Sequence, residues 1–498
     1  MLDVMSPAAA CPAATPDRHS IVLLPGDGIG PEIVDACRPV LAATFPTWDF
    51  TDAAIGWECW CADGDPVPAA TWRALEDADA ALMAAITSKP AREAEAELAG
   101  HLRGTGLTYR SPVLQLRRRL DLFANVRPVE DLLAGSTASS LHDAPATPPS
   151  ARTSSHSPPN TASRTAPRFG FTVVRENTEG LYSHDFSMRG AGVHAADAHA
   201  AGAHTADAHT ADAHTADAPD GGAPGERATG AHAKSAALAG MWDVVKHDPT
   251  VARSTPADTA IALRVTTGFA WRRLLRIAAA LTGHAADPAL RRVTVADKPN
   301  ILRESGAVIR DAVDEVAAEF PGVEFEIANA DAVAMRMITA PRSFDVIAAE
   351  NLLGDMLSDM GAGLMGGLGL PSSGNIGADH AVFEPVHGSA PDIAGRGIAN
   401  PAAFLLSAAM CAEHLADKVE ASQASPAAEC GAGSEAGSKS EAATEATANP
   451  DGDLRERADR LRSAVIATLR DNPTPDLGGT NTTAGFADAV AGLVAGTS

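Results

Sequence analysis

Short apolar runs alternate with amphipathic segments along most of the chain. The apolar runs have the length and the β-branched or small-residue content of buried strands, and helix-like periodicity fills the intervals between them. The predicted strands are Ile21–Leu24, Ala80–Ile86, Phe171–Arg175, Arg291–Ala296, Val323–Ala328 and Phe344–Ala349. Strands that alternate with helices favour an α/β fold.

Four stretches interrupt this pattern and lack the aromatic and branched residues that offset the entropy of ordering. They are an Ala/Pro-rich tail over residues 1–19 and low-complexity insertions over 134–167, 190–239 and 418–451. The second insertion carries His194, His199, His204, His209 and His214. A five-residue spacing drifts around a helix, so no preformed metal site follows and a solvated linker is the preferred interpretation.

Composition narrows the class of protein. The 498 residues carry a formal charge of −24, which argues against a nucleic-acid partner because phosphate binding needs a basic surface. We find no apolar run long enough to span a membrane and no signal peptide. The six scattered cysteines form no zinc-type pairs, so free thiols in a reducing cytoplasm are expected.

An acidic pair follows the last predicted strand. Asp355 and Asp359 are four residues apart in Glu350–Asp359, so a helix places both carboxylates on one face. The plain interpretation is a solvated acidic helix start. The alternative is a hard divalent-metal site for Mg²⁺ or Mn²⁺, since these ions prefer oxygen ligands.

A glycine-rich turn lies between the first strand and the first helix. Pro25–Glu32 reads Pro-Gly-Asp-Gly-Ile-Gly-Pro-Glu, and its third glycine comes one residue too early for the dinucleotide fingerprint G-x-G-x-x-G. We therefore reject a Rossmann-type turn and predict a tight strand-to-helix connection.

Several basic residues stand at strand ends or on one predicted helix. Arg117 begins a run of three arginines, Arg127 precedes Pro128, and Arg175 ends a strand. Planar guanidinium groups suit bidentate capture of carboxylates, although salt bridges to the many acidic residues are the alternative. Lys298 directly follows a buried strand, a position typical of a lysine used in proton transfer, and Tyr182 is one of two tyrosines.

These residues occur in ordered motifs that resemble the decarboxylating β-hydroxyacid dehydrogenases, the family of isocitrate, homoisocitrate and 3-isopropylmalate dehydrogenases. The resemblance covers nearly all of the chain outside the tail and the three insertions, and it rests on eight motifs. They are Pro25–Glu32, Leu116–Pro128, Val174–Tyr182, Asp297–Leu302, Asn351–Asp359, Ser373–Gly377, Phe383–Pro401 and Thr474–Gly479.

The resemblance implies a two-domain fold with a discontinuous large domain. Residues 20–122 and 366–498 would form the large domain, and residues 123–365 the smaller dimerisation domain. The site would lie in the cleft between them and be completed by a second subunit of a homodimer, with a higher oligomer left open. The His-repeat insertion falls where the family has its dimer-forming arm.

The resemblance also assigns roles to the basic and acidic residues. Arg117, Arg127 and Arg175 would hold substrate carboxylates. Asp355 and Asp359 would bind Mg²⁺ or Mn²⁺, and the metal would polarise the developing ketone and stabilise the enolate left by CO2.

Other residues would come from the partner subunit or act after decarboxylation. Asp331 of the partner would complete the metal site, and the partner's Lys298 and Asn300 would assist removal of the hydroxyl proton and substrate binding. Tyr182 resembles the acid that protonates the enol.

The family's cofactor loop corresponds to residues 387–392. Its members here are His387, Gly388, Ser389, Ala390, Pro391 and Asp392, and Thr87 and Asn400 would complete the cofactor site. A carboxylate at Asp392 accepts hydrogen bonds from a ribose diol and repels a 2'-phosphate, so NAD is predicted over NADP.

The residues before Arg117 should select the substrate, a small hydroxy di- or tricarboxylic acid. Tyr109-x-Ser-Pro followed by Val113-Leu114 resembles homoisocitrate dehydrogenases best, with Ser111 and Arg110 available to a distal carboxylate. We rank homoisocitrate first, isocitrate second and 3-isopropylmalate third. A non-catalytic regulatory subunit is the alternative from another class, but such chains tend to lose the tyrosine, lysine or an aspartate that this chain keeps.

Overall fold

A computed structural model describes the chain over residues 18–133, 169–187, 240–255, 258–283, 289–424 and 452–496. The predicted insertions over 134–167 and 190–239, with the His repeat, lie outside these residues, and so does most of the predicted tail.

The strands of this part of the chain are short and mostly buried. They are β1 (His19–Gly26), β2 (Trp48–Asp52), β3 (Ala80–Ala85), β4 (Ala124–Glu130), β5 (Gly170–Glu176), β6 (Gly180–Ser187), β7 (Ala260–Val265), β8 (Arg292–Asp297), β9 (Glu324–Asn329), β10 (Val346–Ala349), β11 (Ser372–Ile376) and β12 (Ala381–Pro385). Each predicted strand is present, with ends that differ by one or two residues.

Helices fill most of the intervals between the strands. They are α1 (Gly30–Thr44), α2 (Trp57–Asp63), α3 (Ala69–Glu76), α4 (Ala91–Glu97), α5 (Pro112–Arg119), α6 (240–245), α7 (Gly268–Ala280), α8 (Arg303–Glu319), α9 (Ala330–Thr339), α10 (Asn351–Met365), α11 (Ala402–Ala424), α12 (Gly452–Asp471) and α13 (Thr483–Gly496). The predicted α/β class is confirmed.

Ten strands form one mixed sheet in the order β2-β1-β3-β12-β11-β4-β5-β10-β8-β9. Its two ends are parallel, and its centre is antiparallel because β11 pairs antiparallel with both β12 and β4, and β4 pairs antiparallel with β5. The β4–β5 pairing runs from Ala124 opposite Glu176 to Glu130 opposite Gly170. A separate antiparallel pair joins β6 to β7.

The inner parallel strands β3 and β10 are apolar along their whole length because helices cover both faces of the sheet there. Every residue of β3 and β10 is buried. The main core packs the helices around these strands, and a smaller cluster around Trp72 and Leu120 covers the other face of β1 and β3. The continuous sheet runs through both predicted domains, since β11 of the large domain pairs with β4 of the small one. The predicted domain boundaries stay a prediction.

Two predicted segment ends are wrong. Residues 418–424 continue α11 instead of starting an insertion, because Val419 is buried and Lys418 donates to the backbone oxygen of Asp379 at 3.0 Å. The predicted tail also ends earlier than residue 19. His19 is buried and opens β1, and Arg18 forms an ion pair with Asp49 at 2.6 Å.

The described residues bear on two predictions made from composition, the lack of a membrane-spanning segment and the free cysteines. No helix in the described ranges combines the length and apolar character needed to cross a membrane. The cysteines at 37, 59, 61 and 411 are free thiols, and burial raises the pKa of each. Cys11 and Cys430 lie outside the described part of the chain.

The turn between β1 and α1 is held against the loop after β12. Gly28 adopts φ +59°, and a Cβ atom there would lie 2.0 Å from the backbone oxygen of Ser389. That oxygen accepts a hydrogen bond from the Ile29 amide at 2.9 Å. The glycine therefore permits both the left-handed backbone and the close approach of the two loops.

Gly28→Ala should destabilise the chain far more than Gly104→Ala. Gly104 has a similar φ of +74° but open space where a Cβ would stand. The control should lose about 1 kcal/mol from the left-handed conformation alone, whereas Gly28→Ala adds a backbone clash and should lose roughly 3 kcal/mol or more. Urea unfolding midpoints of the two variants give the comparison, and equal losses would contradict the packing described here.

Candidate active site

One cavity of about 820 Å³ lies where the antiparallel centre of the sheet meets α5 and α10. Its lining combines three arginines and an aspartate with small polar and aliphatic side chains. The lining residues are Ser88, Ser111, Val113, Leu114, Arg117, Arg127, Arg175, Leu181, Ala262 and Asp355. The structure thus brings together the three predicted carboxylate-binding arginines, Ser111 and one of the two predicted metal ligands.

Arg117 is the member of its arginine run that faces inward. Arg118 and Arg119 are exposed at the end of α5, whereas Arg117 is buried. Its Nε donates to Asn375 Oδ1 at 3.2 Å, and its Nη2 lies 3.8 Å from a carboxylate oxygen of Glu384. Burial lowers the pKa of Arg117, and the Glu384 charge opposes that shift. A guanidinium buried this deeply, with one distant carboxylate, forms a ready anion site.

Arg127 is buried on β4 and uses all of its nitrogens. Its Nε donates to Asn125 Oδ1 at 2.5 Å, and its Nη1 donates to Ser358 Oγ at 2.8 Å and to Asp359 Oδ1 at 3.0 Å. Its Nη2 lies 3.5 Å from Asp355. Strand β4 and helix α10 together therefore fix the direction of this guanidinium.

Arg175 is the most deeply buried of the three, near the end of β5. Its Nε and Nη2 both donate to Asn351 Oδ1, at 3.1 and 2.8 Å, and its Nη1 is paired with Asp355. Helix α10 reaches this arginine because residue 354 is glycine. A Cβ there would lie 2.7 Å from the Arg175 Cβ.

The acidic pair occupies the predicted helix at the cavity edge. Asp355 is about one third exposed and Asp359 more than half exposed, and both face arginines on the sheet. Their oxygen donors, one helical turn apart, suit Mg²⁺ or Mn²⁺. Within the described residues of a single chain, no three acidic, His or Cys side chains converge as a metal-binding group. The pair alone is an incomplete ligand set, so the metal site stays a prediction.

The predicted partner-derived residues form a separate group. Lys298 follows β8, and its Nζ donates to Asp331 Oδ1 at 2.5 Å at the start of α9. The hydrogen bond from Lys298 lowers the pKa of Asp331. Asn300 is exposed in the loop after β8. None of the three lines the cavity of its own chain.

Tyr182, the predicted proton donor, lies on β6, next in sequence to the cavity residue Leu181. Its side chain lies outside the part of the chain that the structure describes.

The predicted cofactor loop contacts the residues that follow β1 and β3. Ser389 is buried, and its Oγ lies 2.6 Å from Thr87 Oγ1. The Thr87 amide donates to buried Asp27 at 2.8 Å. Thr87 thus ties the loop to β3, and the next residue along, Ser88, lines the cavity.

His387 gives the loop a polar atom without a partner. Its Nε2 is enclosed and makes no hydrogen bond to the described residues, while its Nδ1 lies 3.0 Å from the backbone oxygen of Gly388. Burial lowers the pKa of His387, which keeps the ring neutral. An enclosed ring nitrogen lacking a partner is expected where a polar ligand group binds.

The rest of the loop is open. Gly388, Pro391 and Asp392 are exposed, and Ala390 adopts φ +37°. Asp392, predicted to bind a ribose diol, is therefore accessible from solvent.

Asn400, predicted to complete the cofactor site by contacting adenine, has hydrogen bonds at both ends of its side chain. Its Nδ2 donates to Asp476 Oδ2 at 3.1 Å, and its Oδ1 accepts from the Ala402 amide at 3.0 Å. Both ends of the side chain are used within the protein. Any contact of Asn400 with adenine would have to use its backbone or displace Asp476.

Sequence reasoning missed several polar residues that hold the arginines. Asn125, Asn351, Ser358, Asn375 and Glu384 each contact at least one of the three guanidinium groups. Asn125 carried a usable signal, because it is an amide flanked by Phe123, Ala124 and Val126, and a polar group in such an apolar run needs a partner.

Comparisons with known proteins show which family the chain resembles. The family model described as isocitrate/isopropylmalate dehydrogenase matches residues 20–147 and 150–437. The isocitrate/homoisocitrate dehydrogenase of Thermus thermophilus is 33% identical over 473 residues, covering 95% of this chain and 97% of that protein. Protein DlpA of Legionella pneumophila is 36% identical over 400 residues, covering 80% of this chain, which spans only 52% of that longer protein.

A solved structure extends the likeness to the fold. The crystal structure of isocitrate dehydrogenase from Methylococcus capsulatus matches with a TM-score of 0.61 and 27% identity, covering 96% of this chain and 99% of the other. The fold and its arginine-lined cavity correspond to one class of α/β protein, the decarboxylating dehydrogenases. The chain belongs to the isocitrate/isopropylmalate dehydrogenase family.

Proposed function

We propose that this chain catalyses the NAD-dependent, divalent-metal-dependent oxidative decarboxylation of a 2-hydroxy acid bearing a 3-carboxylate, with homoisocitrate as the first-ranked substrate and 2-oxoadipate as its product. The observation that carries the proposal is the convergence of Arg117, Arg127 and Arg175 on one cavity in a chain of this family. Buried guanidinium groups at one cavity recognise an acid with several carboxylates.

The ion pairs at the cavity edge suggest how the arginines become available. Arg127 and Arg175 share the Asp355 carboxylate in the described chain. If Asp355 served as a metal ligand, its charge would be shared with the ion, and N–H donors of both guanidinium groups would be available to substrate carboxylates. Asp355 and Asp359, with Asp331 of the partner subunit, would hold Mg²⁺ or Mn²⁺. When bound, the ion supplies Lewis acidity toward the substrate oxygens.

The proton transfers are assigned to Tyr182 and to Lys298 and Asp331 of the partner subunit. The ion pair of Lys298 and Asp331, contributed by the partner subunit, would take the hydroxyl proton as C2 gives its hydride to the nicotinamide. The C3 carboxylate then leaves as CO2, and Tyr182 would return a proton to C3. The lowered pKa of Asp331 supports its presence as an ionised carboxylate paired with Lys298.

NAD would be held by the loop over residues 387–392 and by Thr87. Three observations support this assignment: the unpartnered Nε2 of His387, the exposed Asp392, and the link from Ser389 to Thr87 beside the cavity. The negative charge of Asp392 disfavours the 2'-phosphate of NADP. We place the enzyme in the cytoplasm, in keeping with its free thiols.

The residues that line the cavity suit two kinds of substrate, one with a distal carboxylate and one with an alkyl group. Ser88 and Ser111 offer hydroxyl groups to a distal carboxylate, as homoisocitrate and isocitrate require. Val113, Leu114, Leu181 and Ala262 form an aliphatic wall that suits the alkyl group of 3-isopropylmalate. The relative with matched length, named isocitrate/homoisocitrate dehydrogenase, favours the first candidate.

Steady-state kinetics with NAD on the three acids should give the highest kcat/KM for homoisocitrate, followed by isocitrate. An acid whose distal substituent leaves a buried polar group of the site without a hydrogen-bond partner should be rejected strongly. A preference of about tenfold or more for 3-isopropylmalate, equal to about 1.4 kcal/mol, would reverse the ranking while leaving the chemistry intact. Lack of turnover on all three acids would instead favour the regulatory-subunit alternative.

Replacing the carboxylate at 392 should weaken the choice of cofactor. The wild-type protein should show a lower KM for NAD than for NADP, and Asp392→Asn should narrow that gap because the amide no longer repels a 2'-phosphate. Asp311→Asn, an exposed carboxylate on α8, controls for the change in net charge. A wild-type KM that is lower for NADP would overturn the assignment.

Asp355→Asn should abolish metal-dependent turnover and weaken Mn²⁺ binding, measured by calorimetry without substrate. Loss of one carboxylate ligand should lower the affinity for Mn²⁺ by about tenfold or more, since even the loss of a group that supports a ligand has an effect of this size. Circular dichroism should show that the variant stays folded, and Asp311→Asn should bind Mn²⁺ like the wild type. Persisting metal-dependent activity would mean that Asp355 is not a ligand.

A further inference from the structure

We infer that a buried pair of amides, Asn125 and Asn375, is a positioning device that fixes the spacing and direction of Arg117 and Arg127 at the cavity. The inference rests on the proposed function, in which these two arginines hold substrate carboxylates. It adds two residues to the site that contact the arginines and do not line the cavity themselves.

The two amides face each other across the centre of the sheet. Asn125 on β4 and Asn375 on β11 are direct partners in the antiparallel register, and both side chains are buried. Asn125 Nδ2 donates to Asn375 Oδ1 at 3.1 Å. Each amide also accepts from one arginine: Asn125 from Arg127 Nε at 2.5 Å, and Asn375 from Arg117 Nε at 3.2 Å.

The direction of this chain of hydrogen bonds is set by the arginines. A guanidinium N–H can only donate, so Asn125 must turn its oxygen to Arg127 and its NH2 group to Asn375. Asn375 must then present its own oxygen to both Asn125 and Arg117. Its Nδ2 is left to donate to Glu384 Oε1 at 2.7 Å. The carboxylate of Glu384 therefore ends a relay that begins at Arg127, and each bond polarises the next.

The relay addresses a need that the carboxylates do not meet. Arg117 has one carboxylate nearby, Glu384, at 3.8 Å, which is too far for a short hydrogen bond. Two cations at one cavity also repel each other, so each gains from a neutral acceptor at its Nε atom. The amide pair supplies both acceptors and links them to each other, while the Nη atoms of Arg127 contact residues of α10.

A purely structural role is the alternative, and Asn177 offers a matched control. Asn177 is buried and also donates its Nδ2 to Asn375 Oδ1, at 3.0 Å. It makes no side-chain hydrogen bond to any of the three arginines in the described structure. Asn125→Ala and Asn177→Ala thus each remove one donor from the same acceptor, but only Asn125→Ala also removes a hydrogen-bond acceptor from an arginine.

The test compares these two variants in the full-length enzyme with its preferred acid. Asn125→Ala should raise KM for the acid by about tenfold to a hundredfold, the range for a lost hydrogen bond to a charged group. Its KM for NAD should change by less than about threefold, within ordinary context effects. Asn177→Ala should keep both KM values near those of the wild type, although urea unfolding should show that both variants lose stability.

A double-mutant comparison and a binding measurement complete the test. Asn375→Ala should also raise KM for the acid, and adding Asn125→Ala should raise it little further, because the two amides act as one unit. Calorimetric binding of the acid with Mg²⁺ and without NAD should follow the same order. Equal effects of Asn125→Ala and Asn177→Ala on acid KM, or an additive double variant, would overturn the inference. A wild type that turns over none of the three acids would instead overturn the proposed function.

Discussion

Three guanidinium cations buried around one cavity repel one another, and the site depends on how the fold holds them together. Each is restrained by different groups. Arg175 is held by Asn351 and Asp355, Arg127 by residues of β4 and α10, and Arg117 by a sheet amide with a more distant carboxylate. Burying these charges would be prohibitive without such partners. The arginines therefore stay charged and oriented toward the cavity.

The antiparallel centre of the sheet makes this arrangement possible. Parallel strands alone would place all site residues at one edge, but β4 and β11 run against their neighbours and bring side chains from mid-strand into register. Helix α10 then closes onto β5 because Gly354 leaves room for the Arg175 side chain. On the other side of the cavity, adjacent residues Thr87 and Ser88 connect the cofactor loop with the substrate wall.

Much of the fold could be predicted from the sequence because buried strands carry a simple signal. The apolar runs identified the strands, and the spacing of Asp355 and Asp359 identified a helix face. The hydrogen-bond partners of the polar side chains were less predictable. Nothing in the sequence distinguishes an Asn400 that meets a ligand from one that binds Asp476. The Asn125–Asn375 pair depends on a strand register that joins residues 250 positions apart. Composition alone also misplaced the end of α11, because Val419 and Lys418 pack against the core despite lying beside a low-complexity stretch.

The register of β4 and β5 places the connection between these strands at the end of the pair away from Arg175. The β4–β5 pairing ends with Glu130 opposite Gly170, and the 39 residues 131–169 join the two strands beyond that point. Closure entropy grows only with the logarithm of length, so a flexible connection of such a length costs about 2 kcal/mol more to close than a four-residue turn. The hairpin end is therefore a permissive insertion point, where the gene can gain or lose sequence while the arginines keep their places on the sheet.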